Sequence, residues 1–97
     1  MIDSTIHNYE EYLYNIAKEL CPNFLYLALV GSRCRGDYKE DSDFDIAIVS
    51  PVGVMRRAKK EKYGNYYFCF NIRPINIFNI VQDMELSYYR IDTKQFV

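Results

Sequence analysis

Two short groups of residues, Gly31-Ser32 and Asp43-Phe44-Asp45, have types and spacing that suit chemistry. Side chains alternate along a strand, so residues 43 and 45 fall on one face about 6.5–7 Å apart, while Phe44 turns to the core. Two carboxylates on one face repel each other unless a cation lies between them. Mg²⁺ is the usual solution, because it takes oxygen ligands and bridges to phosphates. The aspartate pair therefore predicts a Mg²⁺ site.

The Gly31-Ser32 pair follows an apolar run and predicts a turn that binds an anion. Glycine lets the backbone approach a ligand closely, N–H groups at a helix start favour an anion, and the Ser32 hydroxyl can bond a phosphate oxygen. Arg33 and Arg35 add fixed positive charge. We expect Arg35 to face the phosphates or brace the loop, and Arg33 to be exposed to solvent. A phosphate cradle beside a carboxylate pair favours a metal–nucleotide site.

Hydrophobic spacing predicts the elements that position these residues. Apolar residues three and four apart predict an amphipathic helix over 4–20, which Pro22 ends. A buried strand over 24–30 and a second strand over 43–49 flank the polar stretch. Alternating helices and strands favour an α/β (α+β) fold, a small mixed β-sheet with helices packed on it. We further expect a helix over 54–62, strands over 66–72 and 75–81, and a last helix over about 82–90.

Composition limits the class of protein. The 97 residues predict a single domain over 1–97, and the 49% hydrophobic content argues against disorder. Residues 1–50 hold 4 basic and 9 acidic side chains (net −5), and residues 51–97 hold 8 and 4 (net +4). No apolar run approaches the roughly 18–20 residues of a membrane span, and no secretory leader is visible. Cys21, Cys34 and Cys69 are too scattered for a disulfide framework or a zinc site, so we expect the reducing cytoplasm.

The polar stretch resembles a known signature. Gly31-Ser32, ten residues and then Asp43-x-Asp45 resemble the G-S-x10-D-x-D signature of the minimal nucleotidyltransferases, within the DNA polymerase β-like superfamily. The segment GSRCRG is similar to that family's GSxARG loop, and SDFD to its SDxD strand. The resemblance implies the polymerase β-like nucleotidyltransferase fold. It implies Asp43 and Asp45 as catalytic residues and metal ligands, and Gly31, Ser32, Arg35 and Ser42 as nucleotide-binding residues.

The same resemblance implies an activity and partners. The expected reaction moves a nucleoside monophosphate from a magnesium-bound NTP, with ATP as the expected nucleotide, to a hydroxyl. Mg²⁺ is the implied cofactor. Proteins of this kind are often antitoxins paired with a HEPN-type toxin, and the implied acceptor is a tyrosine of such a separate protein. Nucleic acid and membranes are not expected as partners, and a homo-oligomer stays open.

The sequence departs from the family pattern at a third carboxylate, which a later strand should supply. Residues 63–81 contain no Asp or Glu. An amide can bind a metal through its oxygen, but it brings no charge and cannot take a proton. Asn79 aligns best, Asn76 is a close rival, and Asp83 or Glu85 could reach the site from the following helix. The asparagines in matching apolar contexts are Asn71, Asn76 and Asn79.

Two other classes of function stay open. A protein without the third carboxylate could be a catalytically weak or inactive module that binds a nucleotide or a protein. The basic segment 56–62, which carries five Lys or Arg and one Glu, could form a charged rim for a triphosphate or an acceptor, or could contact nucleic acid. Its simpler interpretation is a solvated face of the predicted helix.

Overall fold

The computed structural model describes residues 2–76 and 88–96, and these form one mixed sheet with helical segments packed against it. In chain order the elements are a 3₁₀ segment Ser4–Tyr9, helix α1 Glu10–Leu20, strand β1 Tyr26–Val30, helix α2 Ser32–Arg35, and strands β2 Phe44–Ser50, β3 Arg56–Tyr63, β4 Tyr66–Pro74, β5 Tyr89–Arg90 and β6 Gln95–Phe96.

The sheet of the described residues has the strand order β3-β4-β2-β1-β5-β6. Strands β2 and β4 are parallel, and the other neighbouring strands are antiparallel. This confirms the predicted fold class. Among the described helices, none is long and apolar enough to cross a membrane.

The predicted first helix is present, in two parts. The Asp3 carboxylate accepts a hydrogen bond from the Thr5 amide (3.1 Å) and caps the 3₁₀ segment, which leads into α1. Leu13, Ile16 and Ala17 are buried at helical spacing against the sheet. The helix ends at Leu20, before Pro22 can break it.

Strands β1 and β2 form the centre of the sheet, and both were predicted. Every residue of β1 is buried, because it lies between β2 and β5 and is covered on both faces. On β2, Phe44 and Ile46 pack under α1, while Ala47 belongs to a smaller apolar cluster on the opposite face. The antiparallel register sets Val30 opposite Asp45, so the end of β1 meets the start of β2.

The helix predicted over 54–62 is wrong, because this segment forms strand β3. Gly64 and Asn65 connect β3 to β4 as a two-residue hairpin turn, with Tyr63 paired to Tyr66 and Gly64 at a φ of 63°. Lys, Arg and Glu favour helix by intrinsic propensity, but pairing with β4 overrides that preference. Their charges suit β3 because it is the edge of the sheet.

The other predicted elements are confirmed only in part. The strand predicted over 66–72 is β4, which continues to Pro74. Ile75 and Asn76, expected to begin a strand, are helical instead, and the rest of that segment lies outside the described residues. The end of the helix predicted over 82–90 is also wrong, because Tyr89–Arg90 is strand β5; residues 82–87 lie outside the described residues.

Candidate active site

Gly31 and Asp45 are in direct contact where β1 ends and β2 begins. Gly31 has a φ of 74°, a backbone conformation that residues with a side chain rarely adopt. A Cβ at this position would overlap Asp45 Oδ2 and lie 3.2 Å from Asp45 Cβ. Glycine is therefore required here twice, by the backbone angle and by the carboxylate beside it. The structure thus brings together two of the predicted site residues.

Asp43 immediately precedes β2, and its carboxylate lies beside a lysine of the edge strand. The Lys60 Nζ is 3.0 Å from Asp43 Oδ2, and this hydrogen bond raises the pKa of Lys60. Both side chains are partly exposed, at 47% and 32%. Exposed ion pairs of this kind contribute little to stability. The Asp43 carboxylate can therefore exchange Lys60 for another cation at little cost in free energy.

Asp45 is partly buried. Burial, followed by the negative charge of Asp43, raises the pKa of Asp45, while the positive charges of Arg73, Arg57 and Lys60 act in the opposite direction. The two carboxylates are therefore close enough to repel each other. This agrees with the predicted pairing of residues 43 and 45 on one side of β2.

Arg33 is buried, contrary to the expectation that it is exposed to solvent. Only 3% of its side chain is exposed, and its Nη1 donates to the Asp3 carboxylate. Its Nε donates to the Ser42 carbonyl (2.9 Å), and its Nη2 to the Glu40 carbonyl (2.9 Å). Arg33 thus ties the loop between α2 and β2 to the start of the chain, which fixes where Asp43 enters the sheet.

The remaining predicted loop residues divide between the site and the scaffold. Ser32 is the partly buried first residue of α2, directly beside Gly31. Arg35 lines the cavity described next and lies 3.4 Å from the Asp37 carboxylate. The Ser42 hydroxyl accepts a hydrogen bond from the Lys39 amide (2.9 Å) and lies outside that cavity. Cys34 is buried in the hydrophobic core.

A cavity of about 300 Å³ opens beside Asp45, at the lower end of the range for ligand pockets. Among the residues that the structure describes, Asp45 is the one carboxylate of the cavity wall, whereas three arginines line it. Arg73 was not predicted as a site residue, and Arg57 was predicted only as part of the basic segment 56–62. The walls of the cavity are Val30, Gly31, Arg35, Asp45, Arg57, Cys69, Asn71 and Arg73.

Strand β4 forms part of the cavity wall beside Asp45, and it follows β2 in the chain, as the strand that should carry the third carboxylate would. Cys69 is the direct partner of Asp45 in the parallel register, and Asn71 follows on the same face and lines the cavity. Asn71 therefore lies nearer to the site than Asn76, which is exposed beyond the end of β4. The other three candidates, Asn79, Asp83 and Glu85, lie outside the described residues.

The donor set beside Gly31 suits a single Mg²⁺ ion. Mg²⁺ is commonly bound by one or two carboxylates, with water and substrate phosphates completing its six ligands. Asp43 and Asp45 provide such a pair, and their mutual repulsion would be relieved by a cation. Among residues 2–76 and 88–96, no group of three or more His, Cys, Asp or Glu side chains is arranged to hold a metal ion. Water and the phosphates of a substrate would complete the ligands of an ion bound by Asp43 and Asp45.

Comparison with known proteins bears on the class of chemistry. A family model described as a nucleotidyltransferase domain matches residues 13–92, which is 80 of the 97 residues. The matched region includes most of α1, the Gly31–Asp45 contact and strands β1–β5. No curated protein matches the chain.

Proposed function

Because the chain belongs to the nucleotidyltransferase domain family, its general chemistry is nucleotidyl transfer, and we propose that it moves AMP from Mg-ATP to a hydroxyl group. The observation that carries this proposal is the contact of Gly31 with Asp45 at the mouth of an arginine-lined cavity. It joins a turn suited to phosphate with a carboxylate suited to Mg²⁺, the two functions that such a transfer requires.

We assign roles to five residues. Asp43 and Asp45 would hold the Mg²⁺ ion, which when bound neutralises phosphate charge and fixes the orientation of the nucleotide. Gly31 and Ser32 would contact the β- and γ-phosphates, because the missing Cβ lets the backbone approach them. Arg35, on the cavity wall, would neutralise further phosphate charge.

The reaction forms a bond from the acceptor oxygen to the α-phosphorus and breaks the bond to pyrophosphate. The hydroxyl proton has to leave the acceptor oxygen during this step. Asp45 is the one carboxylate among the described residues of the cavity wall, and as a ligand of Mg²⁺ it would not be free to accept this proton. The proton would therefore pass to solvent water.

We propose a separate protein as the acceptor, with a tyrosine hydroxyl as the group modified. The support is the resemblance of the Gly31–Asp45 segment to minimal nucleotidyltransferases, which suggests an antitoxin acting on a HEPN-type toxin in the cytoplasm. A tyrosine hydroxyl is only weakly acidic, so positioning beside Asp45 would matter more than its own reactivity.

A second function, a catalytically weak or inactive nucleotide-binding module, is favoured by one observation. On the face of β4 beside Asp45, the residues are Cys69 and Asn71 rather than an acid. If a general base is absent, the rate would fall by roughly 10²–10⁴. The two candidate functions therefore share the binding site and differ in turnover.

A transfer assay distinguishes them. The full chain is incubated with ATP labelled at the α-phosphate, Mg²⁺ and a co-purified partner protein, and label on protein and pyrophosphate release are measured. Asp43→Asn with Asp45→Asn should abolish transfer, whereas Asp41→Asn, in the exposed loop, should not change it. Label transfer no higher than in the double variant would refute the enzyme proposal. Mg²⁺-dependent ATP binding without transfer would support the binding module.

The Asn71→Asp variant tests the missing carboxylate directly. It places an acid on the cavity wall beside Asp45 with almost no change in side-chain volume. If Asn71 occupies the place of a general base, the variant should raise the transfer rate by roughly 10-fold or more. A rate unchanged or lowered, with a normal urea midpoint, would show that Asn71 is not at that place.

A further inference from the structure

The wall of the cavity beside Asp45 is basic because of how β3 pairs with β4. Arg57 pairs with Asn71 and Lys60 pairs with Cys69, so all four residues share the face that carries Asp45. A β-bulge between Arg57 and Lys59 makes this arrangement possible. Without the extra residue, strict alternation would turn Arg57 and Lys60 to opposite faces.

The bulge also separates two sets of charges. Lys59 and Glu61 turn to the α1 face, where their ion pair is 2.9 Å long and the Tyr12 hydroxyl donates to Glu61 (2.6 Å). Arg57 and Lys60 have no acidic partner on their face other than Asp43 and Asp45, among the described residues. Lys59 and Glu61 thus form an ion pair on the α1 face, whereas Arg57 and Lys60 face the site.

Two donor atoms of Arg73 are buried. Within residues 2–76 and 88–96 neither its Nε nor its Nη1 has a hydrogen-bond partner. An unpaired donor on a charged, buried group costs more than a neutral one, so native proteins rarely leave such a group unused. Arg73 lines the cavity and its charge acts on Asp45. A ligand with anionic oxygens would satisfy these donors.

We propose that Arg57 and Arg73 bind the phosphate chain of the nucleotide directly, so that this site holds a triphosphate even without a divalent cation. The inference rests on the proposed nucleotide-transfer function and names the residues that recognise its substrate. With Asp45 ionised, the described lining residues, which include three arginines, carry a net charge of +2 toward the anion. Guanidinium groups suit this role because they donate to two phosphate oxygens at once.

Binding to the full chain is measured by calorimetry in EDTA, with sodium tripolyphosphate, orthophosphate, ATP and AMP as probes. Tripolyphosphate and ATP should bind, and orthophosphate and AMP should bind at least about 10-fold more weakly, because they span fewer donors. Added salt should weaken tripolyphosphate binding. Failure of tripolyphosphate to bind in EDTA, or binding no tighter than that of orthophosphate, would overturn the proposal.

Variants locate the binding. Arg73→Gln and Arg57→Gln should each weaken tripolyphosphate binding by about 10- to 100-fold. The matched control is Arg56→Gln, because Arg56 is exposed, adjacent on β3 and paired with Ile72 on the other face; it should bind as the parent does. Equal effects of Arg56→Gln and Arg73→Gln would refute the assignment. Circular dichroism and a urea midpoint check that each variant is folded, and Arg73→Lys tests whether charge alone restores binding.

Asp45→Asn separates this inference from the proposed function. In EDTA the variant should bind tripolyphosphate more tightly than the parent, because a negative charge leaves the cavity wall. Weaker binding would contradict direct contact with the arginines.

If the Arg57 and Arg73 variants lose binding while the parent shows no transfer, the inference stands and the enzyme proposal fails. If the parent transfers AMP and these variants bind normally, the reverse holds.

Discussion

Arg33→Met should destabilise the fold by breaking the contacts that hold the loop between α2 and β2. The guanidinium is paired with the Asp3 carboxylate, and the two side chains are only 3% and 9% exposed. It also donates to the carbonyls of Glu40 and Ser42, each at 2.9 Å. Methionine has a similar volume and keeps the packing, so the variant isolates the loss of charge and donors.

The magnitude follows from what is left behind. Removing one partner of a buried ion pair costs about 3–5 kcal/mol, because the other charge stays buried without compensation. The freed carbonyls belong to an exposed loop and can turn to water, so they add little. Total stabilities of small domains are about 5–15 kcal/mol. With a urea m-value of about 1.5 kcal/mol/M, the midpoint of unfolding should fall by roughly 2–3 M.

The matched control is Arg35→Met, on the same short helix. Arg35 forms an ion pair with Asp37 at 3.4 Å, and both side chains are more than half exposed. Exposed pairs contribute about 0–1 kcal/mol, so this variant should shift the midpoint little. Urea titrations followed by circular dichroism compare the two. Similar shifts for both variants would refute the argument that burial makes the Arg33 pair important.

The pH dependence adds a second check on the same pair. Burial raises the pKa of Asp3, but hydrogen bonds from Thr5 and the interaction with Arg33 outweigh this and hold it below its usual 3.8. A lowered pKa means that the ionised carboxylate stabilises the folded state above the unfolded-state pKa, and that this contribution is lost as the pH falls through the folded-state pKa. The difference in unfolding free energy between parent and Arg33→Met should therefore be full at neutral pH and shrink below about pH 4. A constant difference would contradict this.

Three further variants or measurements test the site. Gly31→Ala should lower the free energy of unfolding by at least about 1–2 kcal/mol, because the backbone has a positive φ at this position. The added Cβ should displace Asp45 and lower transfer about 10²-fold. An unchanged urea midpoint would refute the predicted strain. Asp45→Asn should keep or raise the thermal midpoint of unfolding in EDTA, because burial and the charge of Asp43 oppose the ionised form of Asp45 and raise its pKa. A clearly lower midpoint would contradict this. In the presence of Mg²⁺ the same variant should lower transfer at least about 10²-fold. Burial raises the pKa of Cys34, so this thiol should react with iodoacetamide only after unfolding; mass spectrometry of native and urea-treated protein checks it.

The sequence was most informative where the site depends on local order. Gly31 and Asp45 are fourteen residues apart, at the facing ends of consecutive antiparallel strands. One connection, made of α2 and the loop that follows it, therefore brings them together, and apolar runs on either side predicted both strands. Phe44 is buried and Asp45 turns away from it, because alternation along a strand depends only on neighbouring residues. Such short-range relations can be predicted without knowledge of the rest of the fold.

The basic wall of the site could not be predicted in the same way. Its residues are placed by the pairing of β3 with β4 and of β4 with β2, which no local pattern specifies. The charged composition of residues 54–62 favoured a helix, and the Gly64-Asn65 turn was the available sign of a hairpin. Arg33 was misjudged for a related reason. Its partner Asp3 lies thirty residues earlier in the chain, and sequence spacing alone does not reveal such a contact.

The opposite charges of the two halves of the chain meet in the sheet. Asp43 and Asp45 come from the acidic half, and Arg57 and Arg73 come from the basic half by way of two strand pairings and one bulge. If the basic segment had formed the expected helix, its charges would have been distributed around a solvated surface. As an edge strand with a bulge, it instead directs alternate cations at the carboxylates. Because β4 carries Asn71 and Arg73 on the same wall and no acid, the pairing of β3 with β4 gives this wall the positive charge on which the proposed triphosphate binding depends.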